Sequence, residues 1–454
     1  MNALVVTGGR VLTPTGWAIF DVFVDKGRIV PGAMSVRVGG ETVDGASGSN
    51  EERRTGGAGA ERAILAVTVE DHTATAAREA TLAAGGAGGG RPDQAVTAAP
   101  GEGVATLDAT GLHVVPGFVD LQCNGAYGID LSSEPERLWD VAAALPRTGV
   151  TAWLPTIVSG PPDVRHRALA TLRAGPPGRD SATSPVGPVA APLGLHIEGP
   201  YLAVRQRGVH PTTALRAPDA RDAAWREWSR DAGVALVTLA PELPGALDAV
   251  RQLVDRGVVV SAGHSSATAV EATAAIGAGV RWVTHLFNAM APLNHREPGL
   301  AGVALSDERV RVGAIADGLH LHPTTVAVAA RALGDRLTLV TDAVAAMGMP
   351  PGRVRLGAVE AFSGSDGVRL DDGTLAGSDL SLDRAVRNLD GFAGVGLAAA
   401  VTAATAAPSA VLGLADRGVI APGAVGDLVL LDDAGTVVAT VVGGQVAYDR
   451  RRPA

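Results

Sequence analysis

Two histidines, His264 and His285, each stand a few residues beyond a short β-branched run, Val258 to Val260 and Val280 to Val283, with an Ala-rich helical pattern between them. Parallel strands joined by a helix bring their C-terminal ends side by side, so imidazoles distant in sequence can share one ligand. The plainer alternative is two polar residues that merely close their strands. Other apolar runs end on chemistry-bearing groups in the same way: Glu198 in LGLHIEGPY, Asp342 in LVTDA, and Asp120, Gln122 and Asn124 in FVDLQCN. One carboxylate and two imidazoles form a ligand set for a divalent transition metal, with a position left open for water. Asp342 across the same mouth can take a proton from an attacking water and return it to a leaving amine. An acid ending a buried apolar run costs roughly several kcal/mol of desolvation unless it has a partner, which favours a functional explanation.

Further candidates lie in loops. ADGLHLHP sets His320 just after a seventh apolar run, where it could polarise a carbonyl oxygen. LFNAMAPLNHREPGL has little helical periodicity and offers Asn288, free backbone donors and Arg296, a planar cation suited to phosphate or carboxylate and equally at home as a solvated surface residue. His196, two residues before Glu198, reads as a supporting or core histidine. His72, His113, His166, His295 and His322 lack a strand-end position and carry little functional weight.

Eight candidate strands hold these groups: Val114 to Leu121, Ala152 to Ile157, Leu193 to Glu198, Ala235 to Ala240, Val258 to Gly263, Arg281 to His285, Val310 to Ala316 and Leu337 to Asp342. Most are apolar throughout, as expected of parallel strands covered on both faces. Helical stretches intervene at Pro135 to Thr148, Asp163 to Arg173, Ala220 to Ala232, Ala246 to Arg256, Ala267 to Ala278 and Pro323 to Leu333. The alternation predicts an α/β fold, a closed (β/α)8 TIM barrel, with an open doubly wound sheet as runner-up. A hairpin-like segment, Val354 to Leu370, and helical patterns at Leu380 to Phe392 and Leu397 to Leu412 follow. Residues 2 to 30 and the final stretch from Gly418 share short alternating runs with Gly/Asp turns, which predicts one small β-sandwich domain built from both chain ends. The expected organisation is therefore 1–113 for the N-terminal part of that domain, 114–416 for the barrel and 417–454 for its C-terminal part. Residues 31–103, rich in Gly and Ala, read as a disordered insertion, with Ala63 to Val69 a possible strand.

Composition narrows the function classes. The 454 residues are 46% hydrophobic, enough for a large core, and carry a net charge of -9 with no dense basic run before Arg450, Arg451 and Arg452. That argues against nucleic acid or an anionic membrane as a main partner. A lone Cys123 excludes an intramolecular disulfide framework, and neither a signal peptide nor an apolar run of about 18 residues is present, so a cytoplasmic location is expected.

The pieces PGFVDLQCNGAYG, TAWLPT, LGLHIEGPYL, RGVHP, VTLAPE, VVSAGHSSA, THLFNAM, REPGLAG, ADGLHLHP, LVTDA and LAGS, with the terminal APGAVGDLVLLD, together resemble the N-acetylglucosamine-6-phosphate deacetylase family of the amidohydrolase superfamily. The resemblance implies a metal-dependent hydrolase that releases acetate from N-acetyl-D-glucosamine 6-phosphate, in amino sugar catabolism. It implies Glu198, His264 and His285 as metal ligands, Asp342 as catalytic acid/base and His320 at the substrate carbonyl. His210, Asn288, Ala289 and Arg296 resemble the family's sugar-phosphate contacts. Gln122 and Asn124 stand where many superfamily members carry a His-x-His pair, and amides are poor transition-metal ligands, so one divalent ion per subunit, Zn or Fe, is expected. The resemblance also implies a homodimer. Rival readings are an amidohydrolase for another N-acyl amino sugar such as N-acetylgalactosamine 6-phosphate, or for a cyclic amide, and a non-enzymatic sugar-phosphate binding protein.

Overall fold

The computed structural model describes residues 3–30, 37–38, 41–42, 104–177, 187–218 and 224–452 of the chain. The insertion expected at 31–103 falls outside them, apart from the paired strands Arg37–Val38 and Glu41–Thr42, and so does the candidate strand Ala63 to Val69.

The apolar runs become eight parallel strands: β1 Phe118–Cys123, β2 Val150–Ile157, β3 Leu195–Glu198, β4 Val234–Leu239, β5 Val259–Ala262, β6 Trp282–Val283, β7 Arg311–Ala314 and β8 Leu337–Leu339. Their order in the sheet is their order in the chain, as right-handed strand-helix-strand crossovers require. The ring closes through a parallel bridge between Cys123 and Ala343. There the Asp342 N–H donates to the Gln122 carbonyl at 2.9 Å and the Asn124 N–H to the Ala343 carbonyl at 2.7 Å. The fold is therefore the barrel and not the open sheet. Trp153 and Trp282 lie wholly buried in its core, and Trp282 Nε1 donates to Thr338 Oγ1 at 2.9 Å, so its polar end is satisfied. Helices Pro162–Ala174, Ala246–Asp255, Ala269–Ala278 and Pro323–Leu333 cover the strands close to where their patterns predict.

Three expectations need correction. Val114 to Leu121 is not one strand: His113–Pro116 pairs with Arg10–Thr13 and Leu428–Leu431 outside the barrel, and β1 begins only at Phe118. The chain changes sheet at Gly117, where a Cβ would stand 2.1 Å from Thr151 Oγ1. Of the helix expected over Ala220 to Ala232, the described residues, which resume at 224, form only a 3-10 turn at Ala224–Glu227. Leu397 to Leu412 is two helices, Leu397–Ala404 and Ala406–Val411, broken at Thr405. Pro408 explains the break, because it has no N–H for the Ala404 carbonyl and its ring crowds that turn.

Strands from both chain ends form the second layer pair. One sheet orders Arg28–Val30, Val22–Asp25, Leu4–Thr7 and Ala105–Asp108; the other orders Gln445–Asp449, Val437–Val442, Leu428–Leu431, His113–Pro116, Arg10–Thr13 and Gly16–Ile19. Leu4, Val6, Val24, Leu107, Leu428 and Leu430 fill the space between them as a core separate from the barrel's. This is the expected small β-sandwich of both chain ends. It leans on the barrel, with Thr440 Oγ1 donating to the Pro146 carbonyl at 2.7 Å.

Candidate metal and catalytic centre

Several barrel strands stop early, and the residues that follow turn inward. His264 and His285 come two residues after β5 and β6, and Asp342 three after β8. Their φ angles are +50°, +29° and +48°, in the left-handed region that side chains other than glycine rarely adopt. Ala289, at φ +50°, is a fourth such residue on the same cavity. Each position costs about 1–3 kcal/mol, and such outliers gather where geometry serves a site. The cavity measures about 320 Å³ and is lined by Glu198, His210, His264, His285, His320 and Asp342 among others.

Glu198 Oε1 lies 3.3 Å from both His264 Nε2 and His285 Nε2, and the two ring nitrogens are 3.1 Å apart. Four-coordinate zinc with bonds of about 2.0–2.1 Å has ligand-to-ligand edges of roughly 3.3–3.4 Å, so the three atoms fit one small ion. Burial alone would lift the Glu198 carboxyl, but the facing His264 and His285 rings hold it well below its usual range. A second triad, Glu198, His210 and His264, also brings its ligand atoms within 4.8 Å of one another. Proton placement separates the two. His264 Nδ1 meets the Gln206 carbonyl at 2.8 Å, so Nδ1 carries the proton and the Nε2 lone pair is free for a metal. His210 Nδ1 instead accepts the Ser159 backbone N–H at 3.3 Å. Burial, with the His264 ring adding to it, lowers His210 to about 3, so the ring is neutral and its one proton sits on Nε2. His210 therefore faces the cavity as a donor, which leaves Glu198, His264 and His285 as the set that could hold an ion. His285 Nδ1, Gln122 Oε1 and Asn124 Oδ1 are also buried without partners among the described residues.

On the opposite wall the donors converge on carboxylates. Asn124 Nδ2 donates to Asp342 Oδ1 at 2.8 Å; Gln122 Nε2 donates to the same oxygen at 3.1 Å and to Glu198 Oε1 at 2.9 Å. Asp342 Oδ2 is left for water or substrate. Burial, reinforced by the Glu198 carboxylate, pushes Asp342 up to about 6, a range suited to taking and returning a proton near neutrality. Behind it, Thr341 Oγ1 donates to Asp120 Oδ2 at 2.6 Å, and burial lifts Asp120 to about 7. Beneath the ligands, His196 Nε2 meets Thr238 Oγ1 at 2.8 Å, and Thr284 bonds Thr238 at 2.8 Å and Ser261 at 2.6 Å. His196 is thus a satisfied core histidine, lowered to about 4 by burial.

Most residues singled out from the sequence come together here, with Asn288 and Ala289 on the cavity wall. Arg296 does not: it is exposed and absent from the lining of its own chain's cavity, because its loop turns outward and its N–H caps Asn294 Oδ1 at 3.1 Å. Sequence reasoning passed over two residues. Arg205, one residue before the Gln206 carbonyl that holds His264, is an exposed cation lining the cavity. Asp317, inside the ADGLH segment already noted, meets His320 Nδ1 at 2.6 Å through Oδ2. Burial would raise Asp317, yet its hydrogen bond to His320 leaves it lowered. The i to i+3 spacing of Asp317 and His320 on a loop was the available signal.

A model of the amidohydrolase family matches residues 113–447. An N-acetylglucosamine-6-phosphate deacetylase of Danio rerio is 38% identical over 355 residues, covering 75% of this chain and 86% of the relative. An N-acetylgalactosamine-6-phosphate deacetylase of Escherichia coli O157:H7 is 36% identical over 334 residues, covering 73% and 87%. Among solved structures, an N-acetyl-D-glucosamine-6-phosphate deacetylase mutant from Mycobacterium smegmatis, in complex with N-acetyl-D-glucosamine-6-phosphate, superposes with a TM-score of 0.73 at 29% identity, covering 98% of this chain and 100% of that one.

Proposed function

The chain belongs to the amidohydrolase family, and on that premise we propose that it hydrolyses N-acetyl-D-glucosamine 6-phosphate to D-glucosamine 6-phosphate and acetate. The observation that carries the reading is the convergence of Glu198, His264 and His285 on one point with Asp342 beside it. Those three residues would hold a single divalent ion, Zn or Fe. When bound, the ion supplies Lewis acidity to the amide carbonyl and to the attacking water. Asp342 takes a proton from that water as its oxygen adds to the carbonyl carbon. The C–N bond then breaks, and the proton held by Asp342 passes to the departing sugar nitrogen. His320 meets the carbonyl oxygen as negative charge develops there. His210 donates through Nε2 to the sugar, while Asn288 and the backbone at Ala289 serve the phosphate end, with Arg205 at the mouth. Arg296 keeps a phosphate contact on one condition: in a homodimer its exposed guanidinium can face the second subunit's cavity.

Gln122 and Asn124 spend their N–H donors on carboxylates, which supports one ion and not two. No helix among the described residues is long and apolar enough to cross a membrane, and a lone buried cysteine suits the cytoplasm we assign. The galacto epimer is the second reading, because a relative of nearly equal identity carries that name. Acetate release from N-acetylglucosamine 6-phosphate, its unphosphorylated form and N-acetylgalactosamine 6-phosphate, with and without chelator, tests all of this. Chelator-sensitive turnover with the gluco phosphate fastest is expected; turnover indifferent to the phosphate would overturn the substrate assignment.

A further inference from the structure

His320 lines the cavity, and its Nδ1 is engaged by Asp317 at 2.6 Å. The other Asp317 oxygen accepts two backbone N–H groups, from Leu319 and His320, at 2.8 Å each. Both side chains are nearly buried, at 5% and 6% exposure, so solvent competes little for these bonds. Two backbone N–H donors on the other oxygen favour the ionised carboxylate, and the proton shared at 2.6 Å then belongs to Nδ1. We propose that Asp317 is a positioning residue that locks the proton of His320 on Nδ1 and aims Nε2 at the substrate carbonyl.

The lock has a chemical consequence. With that proton fixed on Nδ1, a second proton on Nε2 is the one the ring offers to the carbonyl oxygen, and Asp317 is the counter-charge facing it. A neutral ring would turn a lone pair toward the oxyanion and repel it. The same dyad fixes the ring plane, since Asp317 is itself held by the backbone of the segment that carries His320.

The inference rests on the reading of His320 as the carbonyl-facing residue, and the experiment keeps the two apart. Metal-loaded wild type, Asp317→Asn, His320→Asn and the double variant are compared by kcat, KM and metal content. Asparagine retains one oxygen for the two backbone donors and turns an NH2 toward Nδ1, so the ring loses its counter-charge and keeps Nε2–H only as a neutral donor. Asp317→Asn is expected to lose roughly 10- to 100-fold in kcat with KM within about threefold, and the double variant to fall no further than His320→Asn alone. Near wild-type kcat in His320→Asn would remove His320 from the chemistry and this inference with it. A large loss there with Asp317→Asn unaffected, or losses that multiply in the double variant, would overturn the positioning role alone. Should Asp317→Asn fail to fold, NMR of isotope-labelled histidine in the wild-type enzyme decides: a proton on Nδ1 of His320 is expected, and a ring protonated only on Nε2 overturns the proposal.

Discussion

The two walls of the barrel mouth are built on opposite principles. At the ends of β3, β5 and β6, three lone-pair atoms crowd within 3.3 Å of one another. At the seam between β1 and β8, two side-chain amides direct donors at one carboxylate oxygen, Asp342 Oδ1, while the backbone bonds there close the ring. Crowded acceptors without enough protons are costly unless a cation joins them, whereas a carboxylate ringed by donors is held still for proton transfer. On the proposed mechanism the first wall takes a cation and the second moves a proton, and Gln122 links them by donating to both Glu198 and Asp342.

Substitutions on each wall should separate these roles. The largest effect is expected on the crowded wall: His264→Ala should lose the bound metal and, with it, detectable deacetylation, measured by elemental analysis beside acetate release. Full metal content would break the comparison. Asp342→Asn should keep the metal and lose about 10^3- to 10^4-fold in kcat, so loss of metal would show that both walls hold the ion. The acid limb follows from the same group. Asp342 is raised to about 6, so falling pH protonates it and removes the proton acceptor. kcat/KM should therefore drop on the acid side with a midpoint at or below about 6, since a bound cation lowers the value further; a profile flat to pH 4 would deny Asp342 the role. Asn124→Ala should cost about 10- to 100-fold in kcat by freeing the Asp342 carboxylate. Smallest is Thr341→Val, which strips Asp120 of its hydroxyl donor and should cost roughly 1–3 kcal/mol of stability in denaturant unfolding.

What could be read in advance divides along the same line. Strands covered on both faces are continuous apolar runs, so the barrel and the residues at its strand ends were legible. Contacts between distant segments leave no periodic trace: nothing in FVDLQCN marks Gln122 as the donor shared by Glu198 and Asp342, nor the Gln206 carbonyl as the partner of His264. Backbone breaks were missed where one residue acts through its neighbours, as Gly117 does against Thr151 and Pro408 against Ala404. Arg296 lies away from its own chain's cavity, and a charge in a loop motif does not fix which way the loop turns.

The bonds that shut the barrel, between Gln122 and Asp342 and between Asn124 and Ala343, join segments 218 residues apart at their nearest side-chain contact. They are also the bonds that set the proton-transfer carboxylate in place. During synthesis Glu198, His264 and His285 emerge well before Asp342, so on the proposed mechanism a growing chain gathers its imidazoles while still unable to cut an amide. Turnover begins only when the last strand reaches the first, which makes activity a direct report that the ring has been completed.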